Sequence, residues 1–566
     1  MEEPSETDQG KKKVNKFKEL PLPFALEEIK ENVTPNTNNQ SKPSQEQRKN
    51  QITEIQTFPV PFALGEIKEN ISISTNIPSK PSKEQIINQA FKFHSQGKIS
   101  EAAKYYQYFI NKGIKDHRVF SNYGVILKNL GKLEEAELSQ RKAIEIKPDY
   151  ADAHYNLGNV LRDLGKLKEA ELFQRKAIQL NPNFAEAYSN LGGILSYLGK
   201  LKEAELSLRK AIEIKPDYAK AHSNLGIILK DFGKLEEAVL SYRKAIELNP
   251  NFTEAHFNLS HTLLQLKFFK EGWEKYEWRW KRSKNVKLRL KTNKPLWNPG
   301  KRGCLLLWAE QGLGDQLYFS TLIPDLQDNV DRLIIKLDRR LIPILQRSID
   351  HEIGFISKEE NLDEKEYDYH LPFGSLAQYL RKTVESFISS KKIILLANKE
   401  KTKEYRKRLL RSEHKILVGI SWTSKSKRYP ESLISLEKMI SGLYSPGVNF
   451  VNLQYGDVKE EIKNVRKNLG VEILEIEELD CFNDIDGLAS LITACDHIVT
   501  IDNVTAALSG ALDMKTKVIL PKHSHWPYGV KDIQSYWFSS MKIFRQITRN
   551  DWAFPLSEIK KEIIKK

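Results

Sequence analysis

Cysteine is nearly absent from this chain: three in 566 residues, at Cys304, Cys481 and Cys495. They are too few and too scattered for a disulfide framework or a zinc site, so a reducing compartment, and with it a cytoplasmic location, is expected. Long apolar runs are missing as well. No stretch approaches the ~20 residues a membrane helix needs. The opening, MEEPSETDQGKKK, has no apolar h-region, so no signal peptide is expected. Histidines are sparse, and His497, His523 and His525 show no ligand spacing, so no metal is expected. His523 and His525 fall in a loop, KHSHWPYG, and are candidates for substrate contact only. Acidic residues are outnumbered, 74 Asp and Glu against 89 Lys and Arg, for a net charge of +15. That balance favours anionic partners such as nucleotides, or is simply a Lys-rich solvated surface. A chain of this length exceeds one core, and two or three domains are expected.

Residues 1–82 form a polar tail with an internal duplication. PLPFALEEIKEN (21–32) recurs as PVPFALGEIKEN (59–70), and SKPSQEQ (41–47) as SKPSKEQ (79–85), at a constant offset of 38. The Asn, Thr, Ser, Gln and Pro between the copies bury too little apolar area to offset chain entropy, so disorder is expected. The copies fit two docking points for one partner, acting through avidity, or a neutral tandem copy of a linker.

Residues 83–286 repeat with a period of 34. Gly97, Gly131, Gly165, Gly199 and Gly233 fall in register, as do Ala102, Ala136, Ala170, Ala204 and Ala238, and Pro148, Pro182, Pro216 and Pro250 close successive units. Two helices per unit meet at a Gly-Lys turn, small residues let them approach, and proline ends the second helix. Five units are in good register and a sixth diverges from 253. The pattern resembles the tetratricopeptide repeat, which implies a solenoid with a concave face and a protein or peptide partner. The sixth position of each unit is Asn: Asn88, Asn122, Asn156, Asn190, Asn224 and Asn258. Helix propensity does not explain this column. Its amides suit an extended peptide backbone, or bonds between adjacent units. The column resembles the asparagine ladder of protein O-GlcNAc transferases, which implies peptide binding.

The repeats end in EGWEKYEWRWKRSK (271–284). Trp273, Tyr276 and Trp280 are spaced for one helical face, with Trp278 on another. The basic stretch that follows (287–302) has no nucleic-acid module around it, and a solvated hinge is expected. From 303 onward strands and helices alternate. Strands are expected at Leu305–Trp308, Leu333–Leu337, Glu352–Ile356, Tyr367–Leu371, Ile416–Trp422, Asn449–Gln454, Val471–Leu474, His497–Ile501 and Lys517–Leu520. The pattern restarts near 400 and predicts two doubly wound lobes, 303–400 and 401–566, with a cleft between them. The complete reading is an α-solenoid followed by a two-lobed α/β module.

The stretch CLLLWAEQGLGDQLYFSTLIPDL (304–326) reads as strand, glycine turn and helix. Gly312 and Gly314 are expected at positive φ, letting backbone approach a ligand, with the helix N-terminus aimed at an anion. Together with PLW (295–297) and DIDGLASLITACDHIVTIDNVTAALSGAL (484–512), this stretch resembles the heptosyltransferase-type glycosyltransferases of the GT-B fold, in the branch with amino-terminal tetratricopeptide repeats. The resemblance covers roughly residues 253–550. It implies inverting, metal-independent transfer of a sugar from a nucleotide-sugar donor, with no further cofactor. It also implies that the acidic residue ending the glycine turn, Asp315, is the base, a position that also suits a helix N-cap. Glu310 is a candidate second carboxylate. In the second lobe Ser421, Thr423, Ser424 and Lys425 follow a strand and suit phosphate. Gln454 and Tyr455 are candidates to line a base pocket. Asp502, Asn503 and Thr505 lie between strand and helix start, where free N–H groups hold a diphosphate. The family commonly has His where Ala507 stands and Gly where Asp513 stands. This departure fits altered donor choice or a transferase module that has lost its chemistry, leaving a scaffold that works by binding. Asp484-Ile485-Asp486 precedes a helix and reads as a cap, not as a metal-binding Asp-x-Asp.

Overall fold

A computed structural model of the chain describes residues 82–349, 352–388, 394–410, 415–424, 433–524 and 526–565. The tail and its duplication lie outside the described residues, apart from Ser82 and the end of the second SKPS copy. The chain divides into two compact units, one ending at Asn190 and one beginning at Leu191. No described helix is long and apolar enough to cross a membrane.

Helices come in six pairs at the predicted period: α1 (Lys83–Ser95) and α2 (Ile99–Asn111), α3 (His117–Asn129) and α4 (Leu133–Ile146), α5 (Ala151–Asp163) and α6 (Leu167–Leu180), α7 (Ala185–Tyr197) and α8 (Leu201–Ile214), α9 (Ala219–Asp231) and α10 (Leu235–Leu248), α11 (Thr253–Gln265) and α12 (Phe269–Tyr276). In the first unit, Ser82 and Gln85 form a capping box that starts α1, satisfying two backbone donors the helix leaves open. The turns within the first five pairs use a glycine in the left-handed region, and the sixth uses Lys267 at φ 65°. Gly131 and Gly165 stand at φ 75° and 76° with no heavy atom within 4 Å of an added Cβ, so conformation and not crowding requires them. Gly158 is different: a Cβ there would meet Gln174 Nε2 at 2.6 Å, so close helix approach demands its small size. In the second unit Gly226 faces Tyr242 in the same way. His154, His222 and His256 each bond the carbonyl of the proline six residues earlier, at 2.8–2.9 Å. That repeated lock ties α5, α9 and α11 each to the preceding turn, and the sequence pattern does not reveal it.

Within the second unit, α12 ends at Tyr276 and the chain tightens into a 3-10 turn over Glu277–Lys281. The predicted continuous aromatic face is therefore broken. Trp273 and Tyr276 stay in the α-helix, while Trp280 packs on Trp308 at 5.6 Å and Trp278 stacks on His256. After α13 (Ser283–Val286) most of the basic stretch is exposed, as expected, but its end is fixed. Trp297 N–H donates to His370 O at 2.9 Å, and the Trp297 ring is buried, so that end is pinned beside a strand.

The first sheet holds β1 (Cys304–Trp308), β2 (Arg332–Leu337), β3 (Gly354–Ser357) and β4 (Tyr369–Pro372), all parallel, in the order β3-β2-β1-β4. Its connections carry α14 (Leu313–Ser320), α15 (Ile323–Gln327) and α16 (Ile342–Ser348); α17 (Phe373–Leu380) and α18 (Glu385–Ile388) follow β4. Next come α19 (Lys399–Leu409), β5 (Ile416–Ser421), α20 (Leu436–Leu443), β6 (Val448–Asn452), α21 (Lys459–Leu469), β7 (Ile473–Leu474), α22 (Ile485–Ala494), β8 (His497–Ile501), α23 (Val504–Ala511), β9 (Thr516–Leu520), β10 (Met541–Arg545) and α24 (Ala553–Ile564). The second sheet is also all parallel, in the order β10-β9-β8-β5-β6-β7. Its core joins Val418, Ile420, Phe450, Val499 and Ile501 to Met439, Ile440, Leu556 and Ile559, which alternate at period two on the strands and recur at helical spacing on α20 and α24. Of the strands, β10 is an addition to the sequence reading, and the others match it to within about two residues at their ends, a scatter usual for element boundaries.

Each sheet reverses its strand order once. In the first, the chain runs β1, β2, β3 in one direction and returns to the far side of β1 as β4. In the second, it runs β5, β6, β7 and returns beside β5 as β8. These two reversals, at the carboxyl ends of β1 and β4 and of β5 and β8, are where open parallel sheets bind ligands.

Candidate functional site

The two reversals meet. Helices α14 and α23 begin at them and pack together, and a Cβ on Gly314 would touch only Val504 Cγ2, at 4.0 Å. Gly314 and Val504 belong to the opening turns of their helices, so two N-termini lie side by side across the junction of the sheets.

At the first reversal the glycine turn differs from expectation in its backbone. Gly312 is extended, φ −65° and ψ 166°, and is the N-cap of α14 with no side-chain cap. Gly314 is not among the positive-φ glycines. The need here is for room: an added Cβ on Gly312 meets nothing nearer than Asp315 Oδ2 at 4.0 Å. Asp315 is the third residue of α14, not its N-cap, and is half-buried. Its carboxylate sits in the first turn, where the positive helix end favours it. It lies close enough to Tyr276 and Tyr318 to add to the burial that pushes both phenols up.

Glu310 lies beneath the turn and is buried. Its Oε1 accepts from Arg279 Nη2 at 3.0 Å, Gly374 N at 3.1 Å and Gln311 Nε2 at 3.3 Å. Burial pushes the Glu310 carboxyl up against the pull of Arg279. Arg279 also reaches Ser375 Oγ at 2.8 Å and Glu277 Oε1 at 2.5 Å, and its two carboxylate partners keep it cationic in spite of burial. Glu310 therefore supports the turn from below and is not presented on its open side. Gly374 leaves it room: a Cβ there would come within 2.7 Å of Glu310 Oε1. Gln316, which the sequence reading missed, is also buried. It donates to Gln311 O at 2.8 Å and accepts from Asp338 N at 3.0 Å, tying the turn to the end of β2.

At the second reversal the fastening is neutral. Gln454 Oε1 accepts from Ser421 Oγ (2.9 Å), Trp422 N (3.0 Å) and Thr423 N (2.9 Å). Asn503 Nδ2 donates to Ser421 Oγ at 2.8 Å and Thr423 O at 3.3 Å, and its Oδ1 accepts from Thr500 Oγ1 at 3.0 Å and caps α23 through Ala506 N. Ser421, Gln454 and Asn503 thus bind the ends of β5, β6 and β8 into one bracket. Gln454 is buried with its oxygen fully used, so it shapes the loop and does not line a base pocket. Tyr455 is half-buried beside the exposed Phe482, 5.8 Å between ring centroids. The Thr505 hydroxyl is buried and has no hydrogen-bond partner. The first turn of α23 contains no acidic residue. Asp502 lies just before the cap, and one oxygen accepts from Tyr528 at 2.9 Å; Tyr528 in turn receives the Tyr318 hydroxyl of α14 at 3.2 Å. Lys425 and His525 lie outside the described residues. Asp484 caps α22 through Gly487 N at 2.7 Å, as its place before a helix suggests. Asp513 stands at the far end of α23 with φ 57°, a left-handed position that glycine fits best and Asp tolerates.

In the second unit the last repeat packs into this arrangement. Trp273 contacts Phe319 of α14 and Trp526, 6.3 and 5.2 Å between ring centroids, and donates its indole N–H to Arg381 O at 2.8 Å. Gln265 bonds Ser524 O at 2.6 Å.

In the repeats, the asparagine column is mostly buried, with Asn88 exposed. Asn156 donates to Ser121 Oγ at 3.2 Å and Asn190 to Asn159 Oδ1 at 2.8 Å. These two amides bond to the neighbouring unit of the array. Asn122 bonds Tyr106. The Asn258 amide nitrogen is buried without a partner, and Asn224 is also buried.

Comparison with known proteins bears chiefly on these repeats. Tetratricopeptide repeat models match residues 151–184 and 219–252, a second repeat model matches 124–165 and 194–231, and a third matches 173–205. Residues 124–252 carry tetratricopeptide repeats. A curated protein similar to this chain is protein FlbA of Caulobacter vibrioides, 29% identical over 309 residues, which are 50% of this chain and 50% of FlbA. The chain therefore spans about half the length of that relative. Similar solved structures include MamA (25% identical, 28% of this chain and 94% of MamA, TM-score 0.26). Another is YrrB, a tetratricopeptide protein with an unusual peptide-binding site (24% identical, 32% of this chain and 92% of YrrB, TM-score 0.27). A third is a thermophilic tetratricopeptide protein of Thermus thermophilus (20% identical, 32% of this chain and 100% of that protein, TM-score 0.29).

Proposed function

We propose that this chain is a metal-independent glycosyltransferase of double-Rossmann GT-B type. It transfers a sugar from a nucleotide-sugar donor to an acceptor recruited by its repeats. The observation that carries this reading is the meeting of two strand-order reversals, with a carboxylate in one helix start and none in the other. The α23 start offers a helix end with no acid in its first turn and the Thr505 hydroxyl, which suit the donor diphosphate. The α14 start offers Asp315 as the base that takes the acceptor hydroxyl proton as the sugar develops oxocarbenium character. Base, reacting carbon and leaving diphosphate then lie across one junction, as in-line displacement requires. Gly312 and Gly314 keep the space above the α14 turn open. The repeats supply an interaction scaffold, and a peptide or protein acceptor is the partner they fit.

The test begins with a thermal-shift screen of the full chain against UDP, GDP, ADP, CMP and their sugar conjugates. A ligand at ~100 times its dissociation constant adds roughly 2.7 kcal/mol of stability. A shift with one nucleotide, lost in Thr505→Val, supports the donor site. Donor turnover that persists unchanged in Asp315→Asn removes Asp315 as the base. The second reading, a binding scaffold without chemistry, is favoured by buried Ala507, which brings no polar group to α23. Absence of any nucleotide shift makes it the better account.

A further inference from the structure

The second helices of four repeats share a surface feature that packing within the fold does not use. Leu138, Leu172, Leu206 and Leu240 are 69%, 64%, 68% and 67% exposed. Each is the sixth residue of its helix, α4, α6, α8 and α10, and they are spaced by 34 residues. Isolated exposed leucines are ordinary, but four at one repeat position are not scatter. The equivalent residues of α2 and α12 are Lys104 and Glu274, so the feature is confined to the four central pairs. Leu138 and Leu172 belong to the unit that ends at Asn190, and Leu206 and Leu240 to the unit that begins at Leu191. Each leucine is followed at i+3 and i+4 by Arg and Lys: Arg141-Lys142, Arg175-Lys176, Arg209-Lys210 and Arg243-Lys244. That spacing puts two cations on the leucine's own helix face. Several of these cations are engaged in exposed i,i+3 or i,i+4 pairs such as Arg141–Glu137 and Lys210–Glu213, which exchange partners at little cost.

We propose that the duplicated segments 21–32 and 59–70 of this same chain dock on these leucines, one copy to each pair. Their chemistry is complementary. The copies present Phe24, Leu26 and Ile29, and Phe62, Leu64 and Ile67, next to an acidic excess. Glu27, Glu28 and Glu31 stand against Lys30 in the first copy, and Glu66 and Glu69 against Lys68 in the second. Two copies meet two leucine pairs. The segments precede Ser82, which caps the first helix of the array. At ~3.3–3.6 Å per residue, the 12 residues from Asn70 to Ser82 extend to about 40 Å and the 50 from Asn32 to about 170 Å. Tethering raises the effective concentration toward the millimolar range, so a small contact area per copy is sufficient.

Hydrogen exchange on the full chain tests this. Residues 21–32 and 59–70 should exchange ~10-fold or more slowly than residues 33–58 between them. In a Leu138→Ser, Leu172→Ser, Leu206→Ser, Leu240→Ser variant both copies should exchange like 33–58. Serine at only one leucine pair should release only one copy. All four positions are exposed, so an unchanged melting curve is expected and serves as the folding control. Equal exchange across residues 21–70 of the parent chain overturns the proposal, and so does protection that survives the four substitutions. Protection that fades on ~100-fold dilution places the segments on a second copy of the chain and also overturns it.

Discussion

Two strand-to-helix crossings face each other, and they are fastened by different chemistry. Under the first, where β1 leads into α14, lies a buried ionic group: Arg279 between Glu310 and Glu277, with Gly374 N–H closing the set. Under the second, where β8 leads into α23, lies a neutral bracket of Gln454, Ser421, Asn503 and Thr500. The helix starts differ to match. α14 has no side-chain cap and carries Asp315 in its first turn, whereas α23 is capped by Asn503 and carries no acid there. One helix thus carries its carboxylate inside the first turn, and the other has Asp502 just before the cap, held by Tyr528. The proposed roles, an anion at α23 and a proton acceptor at α14, rest on that difference.

The strongest way to break the contrast is Arg279→Met. It leaves Glu310 buried without its cation, and a loss of about 3–5 kcal/mol in urea unfolding is expected. Adding Glu310→Leu should recover much of that loss. A single-variant loss below about 1 kcal/mol would show that the ionic group is not what holds the first crossing. Gln454→Leu should cost less, about 2 kcal/mol, by stranding the Ser421, Trp422 and Thr423 donors. It should also weaken any nucleotide-induced thermal shift, which Arg279→Lys should do less. Asn503→Ala should cost about 1 kcal/mol through the lost cap.

The pH response sharpens the same contrast. Hydrogen bonds from Arg340, then Lys358, outweigh burial and hold the Asp338 carboxyl well below the usual carboxylate range. Its folded pKa lies below its unfolded one, so its contribution to stability is present above the ordinary value of about 4 and is lost as pH falls further. Asp338→Asn should flatten the acid limb of a stability–pH curve, while Asn503→Ala leaves the slope unchanged. The smallest effect on folding is expected from Gly312→Ala. Its φ suits alanine and its surroundings are open, so stability should stay level or rise by roughly 0.5 kcal/mol. Donor turnover should nevertheless fall, because the methyl enters the space above the turn.

What the sequence makes legible here is local. The 34-residue period puts left-handed glycines at 131 and 165 and small residues at 158 and 170, because each requirement is met within one helix pair. Parallel strands such as Leu305–Trp308 show as short apolar runs because both faces are buried. What stays hidden depends on distant partners. Glu310 reads as an open carboxylate until Arg279, 31 residues earlier, folds beneath it. Gln454 reads as a ligand contact until β5 arrives alongside. Trp297 reads as part of a basic hinge until the edge of β4 takes its N–H. The place of the glycine turn is legible but its torsions are not, because room for a ligand and left-handed backbone leave the same residue in the sequence.

The last repeat has a further consequence for how such a chain can change length. The repeat-to-sheet contacts described above come from Gln265 and from the Trp273–Trp280 segment. Whole units of 34 residues added or removed upstream would alter the reach of the array as a ruler is lengthened or cut, with the junction of the sheets left as it is. An insertion of one residue between Gln265 and Arg279 would turn Trp273 or Arg279 out of its seat. Copy number is therefore a free variable on one side of that boundary and a fixed one on the other.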